Sequence, residues 1–356
     1  MRILVIGAGR MGRDVGLAFL RSGIDAAFVE TDAGRREAAA RRLARDVRRL
    51  AGEGTPVGAP SFVAPGEAVP ACDALFEAVD ERLETKRRVV ADWASSVVSG
   101  GLLLSNASSI LPSEIDPSCV GMHAFYPAAL TGFCEVVVPP GCPSGRRDAV
   151  LALARRIGLV PILQDEARAF AVNRLMLPAQ DWALRAVAGG ADAGAVDAAA
   201  SGAWPGWEPL AMMDAIGLDV VAASVARYRL RMDPAESAAL AALQEGMEVL
   251  LAAGKKGARN GDGLRQGTPL PWPRTGGLPE GLGADLEALF RNACARALAS
   301  GDLDPAGLSL ALPGLFGVPY PPAEGSLLDE EARERCERRA VETGLAYWRP
   351  FAARTP

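Results

Sequence analysis

The chain has 356 residues, 49% of them hydrophobic and 23% charged; this is a globular composition, with enough length for two or three domains that each bury a core. A net charge of −5 offers no basic field to a nucleic acid or an anionic membrane, and no apolar run approaches the roughly 18–20 residues that cross a bilayer. One histidine and six cysteines without CxxC spacing supply a zinc site poorly, so no metal is expected. With a strand-like run starting at Arg2, we expect no signal peptide and a cytoplasmic protein with free, buried thiols.

Arg2-Ile3-Leu4-Val5-Ile6 is the short apolar run of a buried parallel strand. Gly7-Ala8-Gly9-Arg10-Met11-Gly12 follows, and Val15, Leu17, Ala18 and Leu20 continue at helical spacing to Gly23. A second strand over residues 26–29 finishes on Glu30, and an Arg/Ala-rich helix occupies residues 33–50. Further strands are predicted at residues 74–76, 102–104 and 119–122, and the apolar run 136–138 after a short loop reads as a return strand that brings Glu135 beside His123. This alternation gives an α/β fold: a Rossmann-type, doubly wound parallel sheet over residues 1–165. After Gln164 the pattern turns helical. A Pro/Gly-dense linker at 267–283 separates two all-α segments, 166–266 and 284–356. They look alike: Ala186-Val-Ala-Gly-Gly-Ala-Asp, a helix and Gly202-Ala-Trp-Pro-Gly-Trp-Glu-Pro return about 112 residues later as Ala297-Leu-Ala-Ser-Gly-Asp, a helix and Gly314-Leu-Phe-Gly-Val-Pro-Tyr-Pro-Pro. We read a duplicated helical domain whose second copy is degenerate.

Standing alone, GxGxxG says little. Here it follows a strand, opens a helix, and stands 18 positions before Glu30 at the end of the next strand, which is the context of a dinucleotide site. Gly7 allows the tight turn, Gly9 lets the backbone approach a pyrophosphate, and Gly12 lets the helix pack on the sheet. The first-turn amides of Arg10, Met11 and Gly12, with the helix dipole, hold the anion. Glu30 accepts from the adenosine ribose hydroxyls and repels a 2′-phosphate, which favours NAD; Arg35 and Arg36 nearby keep NADP open.

Ser105-Asn106-Ala107-Ser108-Ser109-Ile110, then Gly121-Met122-His123-Ala124-Phe125-Tyr126-Pro127, then Glu135-Val136-Val137, Ala171-Val172-Asn173-Arg174 and Gly257-Ala258-Arg259-Asn260-Gly261-Asp262-Gly263 come in this order. By these motifs the sequence resembles the 3-hydroxyacyl-CoA dehydrogenase family over most of its first 265 residues. The tandem helical tail looks like the end of the bacterial multifunctional fatty-acid oxidation proteins without their hydratase half. The resemblance implies that His123 is the general base (acid in reduction), that Glu135, 12 residues on, is its partner, and that Ser108 and Asn173 hydrogen-bond the reacting oxygen. The chemistry is sound without the name, because imidazole titrates in the range needed to take a hydroxyl proton as hydride leaves the carbon. The resemblance also implies cofactor contacts for Asn106, Glu81, Lys86 and Arg259, with Glu81 and Lys86 near the nicotinamide ribose; the last three also read as surface charges.

The sequence departs from the family at several points. Tyr126 stands where the family has an asparagine, and Glu208 where it has a glycine. No long helical hairpin follows residue 50, and Asp46 and Glu53 lie where the family has serine and lysine contacts to coenzyme A. These changes spare the redox centre and question the carrier. We therefore expect an NAD-dependent oxidoreductase acting on a 3-hydroxyacyl thioester, carried by coenzyme A or by an acyl carrier protein. The alternatives are a dehydrogenase of a free hydroxy acid, of sugar-acid or carnitine type, and an NAD-binding protein with impaired catalysis. Single-copy members dimerise through the helical domain, so a second copy on the same chain leads us to expect a monomer or weak dimer.

Overall fold

The structure, a computed structural model, describes residues 1–54, 57–64, 67–204, 206–258, 261–265, 279–316 and 327–350. The chain divides into two compact units, Met1–Phe170 and Ala171–Pro356.

In the first unit β1 (Arg2–Ile6), α1 (Arg10–Arg21), β2 (Asp25–Val29), α2 (Ala33–Gly52), β3 (Pro60–Val63), β4 (Cys72–Glu77), α3 (Leu83–Trp93), β5 (Val97–Ser105), α4 (Pro112–Ile115), β6 (Cys119–Ala124), α5 (Ala128–Thr131), β7 (Phe133–Val138), α6 (Ser144–Arg156) and β8 (Val160–Asp165) follow in chain order. The strands form one sheet in the order β3-β2-β1-β4-β5-β6-β7-β8. β6 and β7 run antiparallel, and the other neighbours are parallel. Alternation along β1 divides the core. Ile3 and Val5 pack with Phe19 of α1, Leu43 of α2 and Leu153 of α6, whereas Leu4 and Ile6 pack with Val90 of α3 and Ile115 of α4. Helices therefore cover both faces, as the near-continuous apolar strands require. The strand order reverses beside β1, and that opens a crevice outside the carboxyl ends of β1 and β4.

Two strands were not named from the sequence, β3 and β8. Both lie at the sheet edges, where pairing on one side tolerates Pro60 and Pro161; a proline in a short apolar run otherwise argues against a strand.

The second unit holds α7 (Ala171–Arg174), α8 (Leu177–Ala188), α9 (Ala193–Ala203), α10 (Pro209–Ile216), α11 (Leu218–Arg229), α12 (Pro234–Ala239), α13 (Ala241–Ala252), α14 (Leu282–Ser300), α15 (Pro305–Phe316) and α16 (Glu330–Thr343). α14 packs against α8, α9 and α16. Phe290 meets the edge of Trp204 with ring centroids 4.2 Å apart. Asn292 donates to the carbonyls of Tyr347 and Arg349, and the Tyr347 hydroxyl donates to Asp181 at 2.5 Å. The residues on either side of the Pro/Gly-rich stretch thus share one core. α14 starts at Leu282, inside the stretch expected to be linker, because Gly283 sits against α9, where a Cβ would lie 2.5 Å from the Ala199 carbonyl oxygen. Residues 267–278 of that stretch lie outside the described residues. Glu208 is accommodated at the start of α10, where its carboxylate pairs with Arg265 at 2.8 Å; the neighbouring Asp197 accepts the amides of Leu210 and Ala211. Among the described residues no single helix is long and apolar enough to cross a membrane.

Candidate active site

At the end of β1, Gly7 has φ +94°, and a Cβ there would lie 2.7 Å from the Ala78 carbonyl oxygen, so only glycine makes this turn. A Cβ on Gly12 would fall 1.9 Å from the Gly7 carbonyl oxygen, whereas nothing stands within 4 Å of the Cβ position of Gly9. α1 begins at Arg10 without a side-chain cap, which leaves its first amides and the positive end of its dipole to an anion. Arg10 lies over the Tyr126 ring, 5.4 Å from its centroid, and Met11 packs on the core beneath α1. Glu30, just beyond β2, accepts the Asp32 amide at 3.1 Å and stands 3.6 Å from Arg35 Nε. Arg36 donates to the Glu30 carbonyl oxygen. An uncapped helix start behind an open glycine, with a carboxylate closing the next strand, fits a dinucleotide.

The ends of β4 and β5 carry a buried ionic network. Lys86 on α3 places Nζ 2.9 Å from Glu77 and 3.3 Å from Glu81. Glu77 also accepts from the Ser105 hydroxyl at 2.6 Å and the Val79 amide at 2.6 Å. Glu81 accepts from the amides of Ser108 and Ser109, both at 2.8 Å, and from their hydroxyls. Burial, the largest influence on both groups, opposes their charges. Even so, Glu77 and Glu81 hold Lys86 above the ordinary lysine range, and Lys86 with the two serine amides holds Glu81 below the usual carboxylate range. Lys86 is 1% exposed, which overturns its reading as a surface charge, and Glu81 is engaged with the loop that carries Ser108. Asn106 uses its side-chain oxygen to accept the Ala124 amide at 3.0 Å.

Antiparallel pairing of β6 and β7 sets His123 directly opposite Glu135. His123 Nδ1 lies 2.8 Å from Glu135 Oε2, and both side chains are buried. Met122, Ala124, Cys134 and Val136 point into the core shared with α1 and α6, so the alternating positions turn His123 and Glu135 to the other face. Gly121 keeps the strands close: a Cβ there would lie 2.9 Å from Val137 Cβ and 3.2 Å from Pro112 Cγ. The rings of Phe125 and Phe170 stand 4.4 and 5.5 Å from the imidazole, centroid to centroid. On β8, Gln164 donates from Nε2 to Glu135 Oε1 at 2.9 Å. In the second unit Asn173 lies on α7 and donates to the Tyr228 hydroxyl at 3.1 Å. Arg259 lies outside the described residues. Sequence reasoning missed the engagement of Glu77, Phe170 and Gln164. Glu77 stands four residues before Glu81 and nine before Lys86, but nothing local marks Gln164, whose partner is 29 residues away.

Residues 2–167 match the family profile described as 3-hydroxyacyl-CoA dehydrogenase, NAD binding domain, and residues 170–266 match 3-hydroxyacyl-CoA dehydrogenase, C-terminal domain. The chain belongs to the 3-hydroxyacyl-CoA dehydrogenase family. Its relatives include the fatty acid oxidation complex subunit alpha of Vibrio cholerae, 26% identical over 199 residues, which are 54% of this chain and 27% of that protein. The chain thus spans about a quarter of the length of the first curated relatives it matches. The 3-hydroxybutyryl-CoA dehydrogenase of Clostridioides difficile is 28% identical over 239 residues, 63% of this chain and 85% of that one. The solved 3-hydroxybutyryl-CoA dehydrogenase of Escherichia coli K12 superposes with a TM-score of 0.76 at 20% identity, covering 99% of this chain and 97% of that one. At that identity the likeness is one of fold, and it includes the helices beyond residue 266 of this family member.

Proposed function

We propose that this protein is an NAD-dependent dehydrogenase that interconverts a 3-hydroxyacyl thioester and its 3-oxoacyl form, with His123 and Glu135 as its acid–base pair. The observation that carries the reading is the 2.8 Å contact between those side chains, toward the carboxyl ends of the parallel strands, where the glycine turn also lies. Gly7, Gly9 and Gly12, with the amides of Arg10 and Met11, hold the dinucleotide pyrophosphate, and Glu30 holds the adenosine ribose. When bound, NAD supplies the acceptor for the hydride in oxidation and, once reduced, its donor in the reverse direction. His123 takes the hydroxyl proton at Nε2 while Glu135 accepts from Nδ1–H, which fixes the tautomer and stabilises the imidazolium. Phe125 and Phe170 shield the ring from water. Ser108 hydrogen-bonds the reacting oxygen, a role that the family resemblance also gives to Asn173, and Glu81 and Lys86 act at the nicotinamide end through the serine loop they brace.

We also propose that the helices after residue 282 are a degenerate second copy of those before residue 266. In support, α8–α9 and α14–α15 turn alike: each pair is joined through a positive-φ glycine, Gly190 or Gly301, and an aspartate, Asp192 or Asp304, that accepts a first-turn amide.

NADH formation with 3-hydroxybutyryl-CoA, with its pantetheine thioester and with the free acid tests the reading. Activity on both thioesters is expected. α2 is followed by β3 with no second helix among the described residues, so truncating the nucleotide should cost less than about 100-fold, roughly 2.7 kcal/mol. Activity on the free acid alone would sink the thioester assignment.

A further inference from the structure

β8 buries a polar side chain beside Ile162 and leaves two apolar ones half exposed. Its apolar Val160 and Leu163 are each 47% exposed, while Gln164 is 4% exposed. The reason lies one strand away. Glu135 on β7 pairs with Ile162 on β8, and Gln164, two residues further, projects from the same face. Its Nε2 reaches Glu135 Oε1 at 2.9 Å, and the other carboxylate oxygen, Oε2, meets His123 Nδ1 at 2.8 Å. Both oxygens of a fully buried carboxylate are thereby engaged from opposite sides, by β6 and by β8.

We propose that Gln164 is a positioning residue for the acid–base pair, fixing the carboxylate of Glu135 so that Oε2 alone faces the imidazole and holds its proton on Nδ1. An N–H donor at Nε2 complements a carboxylate oxygen, whereas the amide oxygen in its place would meet an acceptor with an acceptor. Losing that donor removes one of the hydrogen bonds that hold the carboxylate in place, which lets it rotate and misaligns the imidazole. The inference rests on the assignment of His123 and Glu135 above.

The test uses full-length protein labelled with 15N-histidine; because His123 is the only histidine, its two ring signals need no assignment. Gln164→Met keeps the side chain's length and apolar stem but removes the donor; Gln164→Glu replaces the donor with an acceptor and serves if the first variant does not fold. NAD binding is the folding control. The expected result is a kcat lower by roughly 10- to 100-fold, the weight of one hydrogen bond to a charged group, with KM for NAD unchanged. The ring signals should move from a single Nδ1–H tautomer toward a mixture. Wild-type kcat, or a lower kcat with unchanged ring signals, overturns the proposal. If His123→Gln itself keeps turnover, the acid–base assignment fails. If His123→Gln is inactive and Gln164→Met is not, only the role of Gln164 fails.

Discussion

Lys86 Nζ lies 2.9 Å from Glu77 Oε1, with neither side chain more than 1% exposed. Removing one partner of such a pair leaves the other charged and buried, which costs about 3–5 kcal/mol. Lys86→Met is therefore expected to lower unfolding stability by about that amount. Denaturant unfolding of the two proteins measures it, and a difference under about 1 kcal/mol would mean that the network relaxes around the loss.

The same network sets a pH dependence. Glu81 titrates below its ordinary 4.5 when folded, so its stabilisation is complete above that value and disappears as pH falls through the lower folded value. Lys86 titrates above its ordinary 10.5, so its stabilisation is complete below 10.5 and disappears as pH rises through the higher folded value. The stability gap between wild type and Lys86→Met should be flat through neutrality and shrink below pH 4.5. A gap that widens on acidification contradicts this account.

His123→Gln is expected to lower turnover by about 10³-fold, within the 10²–10⁴ that acid–base catalysis commonly supplies, while NAD still binds. Glu135→Gln should act in the same direction, less severely. Steady-state kinetics with an NAD-binding titration separates the two effects, and near wild-type turnover in His123→Gln removes the mechanism.

Glu30→Ala should reduce or reverse a preference for NAD over NADP. The carboxylate faces Arg35 at 3.6 Å, and its loss frees that guanidinium for a 2′-phosphate. The ratio of kcat/KM for the two cofactors decides the matter; a wild-type protein that uses NADP equally well refutes the role of Glu30.

Ending the chain at residue 266 removes Phe290 from Trp204 and Tyr347 from Asp181, contacts made within the second unit. We expect the shortened protein to dimerise or aggregate through the exposed faces of α8 and α9, and the full-length protein to be a monomer or weak dimer. Light scattering measures both. A stable full-length dimer, twice 37.1 kDa, at low micromolar concentration would show that α14 does not replace an external partner.

Strands β1, β2, β4, β5 and β6, the glycine turn and the opposition of His123 to Glu135 were legible because each is written locally: apolar runs, glycines at fixed spacing, and a short return between two strands. The two edge strands were not, because Pro60 and Pro161 erase the strand signal and an edge tolerates them. The Lys86 network was half legible; charge alone suggested surface, and only the packing of α3 shows three charged groups satisfying one another. Gln164 was beyond reach, since its meaning depends on the register between β7 and β8.

The opposition of His123 and Glu135 has a consequence for how this chain tolerates length changes. Side chains alternate along a strand, so one residue inserted or deleted within β7 would drive Glu135 toward the apolar core, and one within β6 would do the same to His123. The connection between those strands is under no such constraint. Leu130 in α5 is 80% exposed, and extra residues there would extend into solvent without moving either partner. Ala128 and Thr131 are buried, so changes of length in this part of the protein are expected only at the exposed residues 129–130, while the strands on either side accept substitution but not a change of length.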